Sequence, residues 1–179
     1  MSRVRIVLLC EDRKTDVFVR RFLKQRKFTN RDVTTLPFAG GKGSGEAWGR
    51  NQFPKELKAI RTQQAAYLVV VLDADYRTVA ERGLQLQRAC EEAAVPPRNS
   101  GDPVVVAVPK RNLETWLAYL DGTDVDEETD YKTKGSGGEK ECKPLADRLF
   151  EMCHREQRLR HPAPPSLEVA CEEYQKLKK

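Results

Sequence analysis

Histidine is nearly missing: two residues in 179, His154 and His161, both late in the chain. That leaves little room for catalysis centred on histidine. There are five cysteines and no C-x-x-C. Cys142 and Cys153, taken with the two histidines, match no tight zinc spacing. An odd count without a paired pattern points to a reducing, cytoplasmic setting rather than a disulfide framework. No apolar run approaches the roughly 18–20 residues of a membrane span. The opening MSRVRIVLLCEDR meets charge at once and offers no small-residue cleavage site, so it does not read as a signal peptide. A glycine-rich stretch lacks the G-x-x-x-x-G-K-[ST] order of a P-loop, since Gly43 follows Lys42.

What remains is a charged, globular composition. Charged residues make up 33% and hydrophobic residues 39%, with a formal charge of +5. That is too apolar for a disordered chain, and the basic balance suits a polyanionic partner.

The most informative stretch is 67–75, YLVVVLDAD. An unbroken apolar run reads as a strand covered on both faces. Asp73 and Asp75 then lie at its carboxyl end, where open α/β sheets bind ligands. Residues two apart in an extended segment share a side. Two readings compete: a cation site, and a solvated strand-to-helix turn with an N-cap aspartate.

Residues 4–10 (VRIVLLC) predict a second central strand, ending at Glu11-Asp12. Residues 15–27 predict a helix with Thr15 or Asp16 as cap. Residues 32–38 (DVTTLPF) predict a weaker edge strand. Residues 39–52 hold five glycines among 40–49 and predict a flexible loop. Its Lys42, Trp48 and Arg50 suit a nucleic-acid backbone, or Trp48 caps the core. Helices are predicted at 54–64, with proline in the first turn, and at 78–94. Residues 103–109 (PVVVAVP) predict a third buried strand, followed by Lys110-Arg111-Asn112 and a short helix over 113–120. The acidic run 121–130 and the glycine- and lysine-rich 133–140 predict loop. Helices are predicted at 144–160 and, with Ser166 as cap, at 166–178. This alternation predicts an α/β fold, a mostly parallel sheet of about four strands with helices on both faces. The organisation expected is a core over 1–120, a mobile loop over 121–143 and a helical extension over 144–179, part of the same domain or a partner-docking surface.

Three strand ends carry carboxylates: Glu11, then Asp73 with Asp75, then Glu114. Mg²⁺ typically takes one or two carboxylates plus substrate phosphate. Two metals about 4 Å apart can activate water and stabilise both oxygens of a phosphodiester displacement. Lys110 and Arg111 stand at the same edge, suited to a phosphate.

With these residues in view, the chain resembles a known family. LLCEDRKTD resembles the glutamate motif of the TOPRIM fold, and VVLDAD resembles its D-x-D motif. The nearest likeness is to small stand-alone TOPRIM-like proteins of bacterial defence loci, encoded beside an SMC/ABC-type ATPase. In several of them PKRNLETWL has a counterpart, E-x-W. The resemblance covers residues 4–120. It implies Mg²⁺- or Mn²⁺-dependent hydrolysis of DNA or RNA, with an ATPase of the ABC/SMC type as partner. Glu11 becomes general base or metal ligand, Asp73 and Asp75 ligands, and Glu114 a further one. Lys110 completes the catalytic set. Nucleic acid would meet Arg13, Lys14, Lys42, Trp48, Arg50 and Arg111. The family has glycine after the first glutamate where this chain has Asp12. Asp12 is either an extra ligand or a group that crowds the site.

Two rival expectations stand beside this one. One is a non-catalytic nucleic-acid-binding or scaffold subunit. The other is a receiver-like phosphoacceptor, which Glu11-Asp12, Asp73 and Lys110 mimic; against it, Pro109 precedes the lysine rather than following it.

Overall fold

The computed structural model describes residues 4–39, 45–132 and 138–178. Four strands, β1 (Arg5–Cys10), β2 (Val33–Thr35), β3 (Ala66–Val71) and β4 (Val104–Ala107), form one sheet in the order β2-β1-β3-β4. Every pairing is parallel. The helices are α1 (Arg13–Gln25), α2 (Gly45–Arg61), α3 (Val79–Glu92), α4 (Leu113–Leu120), α5 (Cys142–Phe150) and α6 (Pro165–Tyr174). A π-helical segment, Glu151–Glu156, continues from α5. The expected α/β class, with about four parallel strands and helices on both faces, is what the chain forms.

Side-chain alternation along the strands builds two cores. Ile6, Leu8 and Cys10 of β1 and Val69 and Val71 of β3 pack with α1, α4, α5 and α6. Leu9, Leu68, Val70 and Leu72 face the other way, toward α2 and α3. Because the central strands carry apolar residues on both faces, an unbroken run was the correct signal for them.

β4 is the third buried strand expected, with Val104 and Val105 buried, although it lies at the edge of the sheet. Its exposed side is covered by α6. Glu173 accepts the Val106 N–H at 3.2 Å and ion-pairs with Arg98. An apolar run reports covered faces, and a helix covers them as well as a strand does.

The glycine-rich stretch is the largest departure. The helix expected from Pro54 starts at Gly45, and Pro54 lies inside it. Phe53, Leu57 and Ile60 bury its apolar face. Gly45 and Gly49, one turn apart, let its first turns press on the sheet. A Cβ at Gly49 would lie 2.5 Å from Leu72 Cδ2, and one at Gly45 would lie 3.1 Å from Glu11 Cβ. These glycines serve close approach rather than flexibility.

Helix ends differ in smaller ways. α1 is capped by Asp12, whose Oδ1 accepts the Thr15 N–H at 2.8 Å, and not by Thr15 or Asp16. Asp16 is buried and ties α1 to β2, with Arg20 and Thr35 both donating to it. Ser166 is not a cap but lies inside α6, where its Oγ accepts the buried Trp116 Nε1–H at 2.8 Å. Trp116 therefore locks the C-terminal helix onto the core. The 144–160 helix stops at Phe150 and widens into the π-turn.

Cys153 of that turn is bonded to Cys171 of α6, with Cα atoms 5.5 Å apart. This corrects the expectation of no disulfide: fold geometry joins two cysteines that no sequence motif paired. Cys10, Cys90 and Cys142 are buried free thiols. Among the described residues, no helix is long and apolar enough to cross a membrane.

Candidate functional site

The strand order reverses between β1 and β3. β1 leads into α1 on one face of the sheet, and β3 leads into α3 on the other. At such a switch point the connections part and leave a crevice beyond the carboxyl ends. Glu11 follows β1 directly, and Asp73 follows β3 by two residues.

These two acids meet. Glu11 Oε1 accepts the Asp73 backbone N–H at 2.8 Å. Burial pushes the Glu11 carboxyl up to about 7; the Asp73 amide opposes that shift, and the Asp75 charge adds to it. Burial also pushes the Asp73 carboxyl well above the usual range, and the neighbouring Glu11 pushes it further. A carboxylate pair held toward its protonated form is short of positive charge.

The other expected ligands are engaged elsewhere. Asp75 does not continue the extended alternation. Its φ is +56°, and its N–H donates to the Arg111 carbonyl at 3.0 Å. Its carboxylate lies 3.4 Å from Arg82. Glu114, buried in the first turn of α4, is paired with Lys14 of α1 at 3.0 Å. It still lies within electrostatic reach of Asp73. Asp12, expected as an extra ligand or a group that crowds the site, is occupied as the cap of α1. Among the described residues, no group of three or more His, Cys, Asp or Glu side chains is gathered for a metal. The Glu11–Asp73 pair fits the smaller demand of Mg²⁺, one or two carboxylates with water and phosphate completing the shell.

Lys110 pairs with the exposed Glu128 at 3.3 Å. Of the residues expected to meet nucleic acid, Arg13 is exposed and lies 3.0 Å from Asp16 and 3.7 Å from Glu139. Arg50 lies 3.7 Å from Glu46. Trp48 is partly buried against the α2–α3 core, the capping role. The Arg111 guanidinium sits 4.3 Å from the Tyr76 ring centroid. Lys42 lies outside the described residues.

Three contributors were missed in the sequence. Arg82 of α3 is 1% exposed. It grips the Asp73 carbonyl from Nε at 3.0 Å and Nη2 at 2.6 Å. It also donates to Glu46 of α2 and to Gln85. Its signal was positional: Arg82, Leu86 and Cys90 share the buried stripe of α3 at four-residue spacing. Lys132 is the second, close enough to Asp73 to favour its charged form. Tyr76, at the tip of the turn after the D-x-D, is the third. Lys132 is brought there by the acidic segment 121–132, which folds back over this edge. Asp130 accepts from Asn112 at 3.1 Å, and Glu127 accepts the Ser166 N–H at 3.0 Å.

Compared with protein-family models, with curated proteins and with solved structures, the chain gives no match.

Proposed function

We propose that this chain is a metal-dependent nuclease that hydrolyses phosphodiester bonds in DNA or RNA with Mg²⁺ or Mn²⁺. One observation carries the reading. At the switch point of a parallel sheet the Glu11 carboxylate holds the Asp73 main-chain N–H, and the carboxyls of both residues are held above their usual range by burial. Such a pair is a hard-oxygen donor set that a divalent cation would neutralise.

Glu11 and Asp73 would hold the cation, with Asp75 and Glu114 beside them. A divalent cation bound there supplies Lewis-acid polarisation of the phosphate and a more acidic water. Glu11, whose carboxyl burial pushes up, would serve either as ligand to the cation or as the base for an attacking water. Arg82 fixes the Asp73 main chain, so the carboxyl does not drift. Lys110 exchanges the exposed Glu128 for substrate phosphate, and Arg111 lies at the same edge. Lys42 and Arg50 would meet the nucleic-acid backbone.

The TOPRIM likeness adds a partner to this reading: an SMC/ABC-type ATPase in a bacterial anti-phage system. A second reading, a non-catalytic nucleic-acid-binding or scaffold subunit, is favoured by one observation. Lys14 and Arg82 already supply cations to Glu114 and Asp75.

The test is cleavage of supercoiled DNA, single-stranded DNA, tRNA and total RNA with Mg²⁺ or Mn²⁺. Glu11→Gln and Asp73→Asn are expected to cut at least about 100-fold more slowly than the parent chain. Equal cleavage by all three proteins would remove these residues from the chemistry.

A further inference from the structure

Tyr76 has no place in the chemistry above, yet it is the residue that follows the D-x-D. Its side chain is 85% exposed. It sits in a turn closed by the Arg77 N–H on the Ala74 carbonyl at 3.0 Å. A large aromatic ring at an exposed turn tip contributes little to the core and is open to a ligand.

The turn is built to hold that ring out. Asp75 before it has φ +56°, and Arg111 on the adjoining strand end has φ +70°. Left-handed backbone at such residues is uncommon and costs about 1 kcal/mol or more. The two are joined, since the Asp75 N–H donates to the Arg111 carbonyl at 3.0 Å. One step earlier, the Ala74 N–H donates to the Pro109 carbonyl at 2.8 Å. This double tie fixes the ends of β3 and β4 against each other. It places the Arg111 guanidinium 4.3 Å from the Tyr76 ring centroid. The guanidinium leaves Tyr76 85% exposed, so a ring face stays open to solvent.

We infer that Tyr76 and Arg111 form a stacking platform for an unpaired nucleobase, which makes single-stranded DNA or RNA the substrate class of this site. A flat base stacks on the open face of Tyr76. The guanidinium behind the ring strengthens that stack and offers its edge N–H groups to the adjoining phosphate. Base-paired duplex has no free base face to offer, whereas single strands and loops do. The platform stands directly after Asp73 and Asp75, so a stacked nucleotide brings its backbone to the carboxylate pair. This deepens the nuclease reading and rests on it for that last consequence; the stacking itself does not.

The test is binding of fluorescein-labelled dT12, rU12 and a 12-base-pair duplex by the full chain, in EDTA to prevent cleavage. Tyr76→Ala is expected to weaken binding of the single strands roughly 5- to 100-fold, the range one base–aromatic stack covers. Tyr76→Phe keeps the ring and is expected to bind within about twofold of the parent. Duplex binding is expected to be unchanged in both variants. Arg111→Gln is expected to weaken the single strands and to lower the salt dependence of binding by about one phosphate contact. Because Tyr76 is a surface residue, unchanged thermal unfolding in Tyr76→Ala certifies the fold. The dT12 and rU12 arms separate DNA from RNA. A parent chain that binds neither single strand would overturn the platform. So would Tyr76→Ala binding as tightly as the parent, or losing duplex affinity in parallel. Failure here with Glu11-dependent cleavage intact removes the platform and keeps the nuclease. Tyr76-dependent binding without any Glu11-dependent cleavage does the reverse.

Discussion

In metal-free buffer at pH 8, Glu11→Gln is expected to unfold about 3–10 °C above the parent chain. The direction is unusual, since most substitutions at partly buried positions destabilise. It follows from the Glu11 carboxyl being pushed up to about 7, with burial as the largest cause. The folded state binds the Glu11 proton more tightly than the unfolded chain does. The resulting stabilisation is full below the unfolded value of about 4.3 and is lost as pH rises through about 7. Glutamine keeps the carbonyl oxygen that accepts the Asp73 N–H and removes the charge that burial opposes. It also relieves Asp73 of its nearest like charge. The advantage of the variant is therefore expected to vanish below about pH 4.3, to grow from there to about pH 7 and to stay level above. Thermal melts across that range check it. A variant less stable than the parent at pH 8, or a difference independent of pH, would show that Glu11 is not a strained acid.

Arg82→Met is expected to give the largest loss of stability of any single change proposed here, about 3–5 kcal/mol. The guanidinium is 1% exposed and serves the Asp73 carbonyl, Glu46 and Gln85 at once. Removing it leaves the partly buried Glu46 carboxylate with only the longer Arg50 contact at 3.7 Å and frees the Asp73 main chain. Lysine is a poor replacement, because a single ammonium does not reproduce the planar fork. Adding Glu46→Gln to Arg82→Met is expected to recover part of the loss, since the second change removes the stranded charge. Urea unfolding of the four proteins in that cycle measures it. Additive losses would mean that the two residues do not act as a unit. Loss of cleavage out of proportion to loss of stability would mark Arg82 as a positioning residue for Asp73.

The legible parts of the molecule were those set by local pattern. Continuous apolar runs marked β1, β3 and β4, and carboxylates after them marked the edge where Glu11 and Asp73 meet. The helix expected over 78–94 forms as α3, with Thr78 and Glu81 as its capping pair. What sequence missed was set by tertiary packing. Glycine spacing over 40–49 suggests a loop to any local rule. Gly45 and Gly49 are helical because Glu11 and Leu72 stand where side chains would be. The division of the four expected ligands was equally hidden. No local pattern shows that Glu114 meets Lys14 across 100 residues, or that Asp75 turns left-handed toward Arg82. The Cys153–Cys171 bond depends on α6 returning beside the π-turn, and no cysteine spacing encodes that.

The central claim is that Glu11 and Asp73 form a cation site. Calorimetric titration of Mn²⁺ into the apo chain tests it most directly, with the parent, Glu11→Gln and Asp73→Asn side by side. The parent is expected to bind Mn²⁺, more tightly at pH 8 than at pH 5, because protons leave the pair as the metal enters. Each variant is expected to bind at least about tenfold more weakly, a cost of about 1.4 kcal/mol or more. Failure of the parent to bind Mn²⁺ at millimolar concentration, or equal binding by all three proteins, would contradict the account.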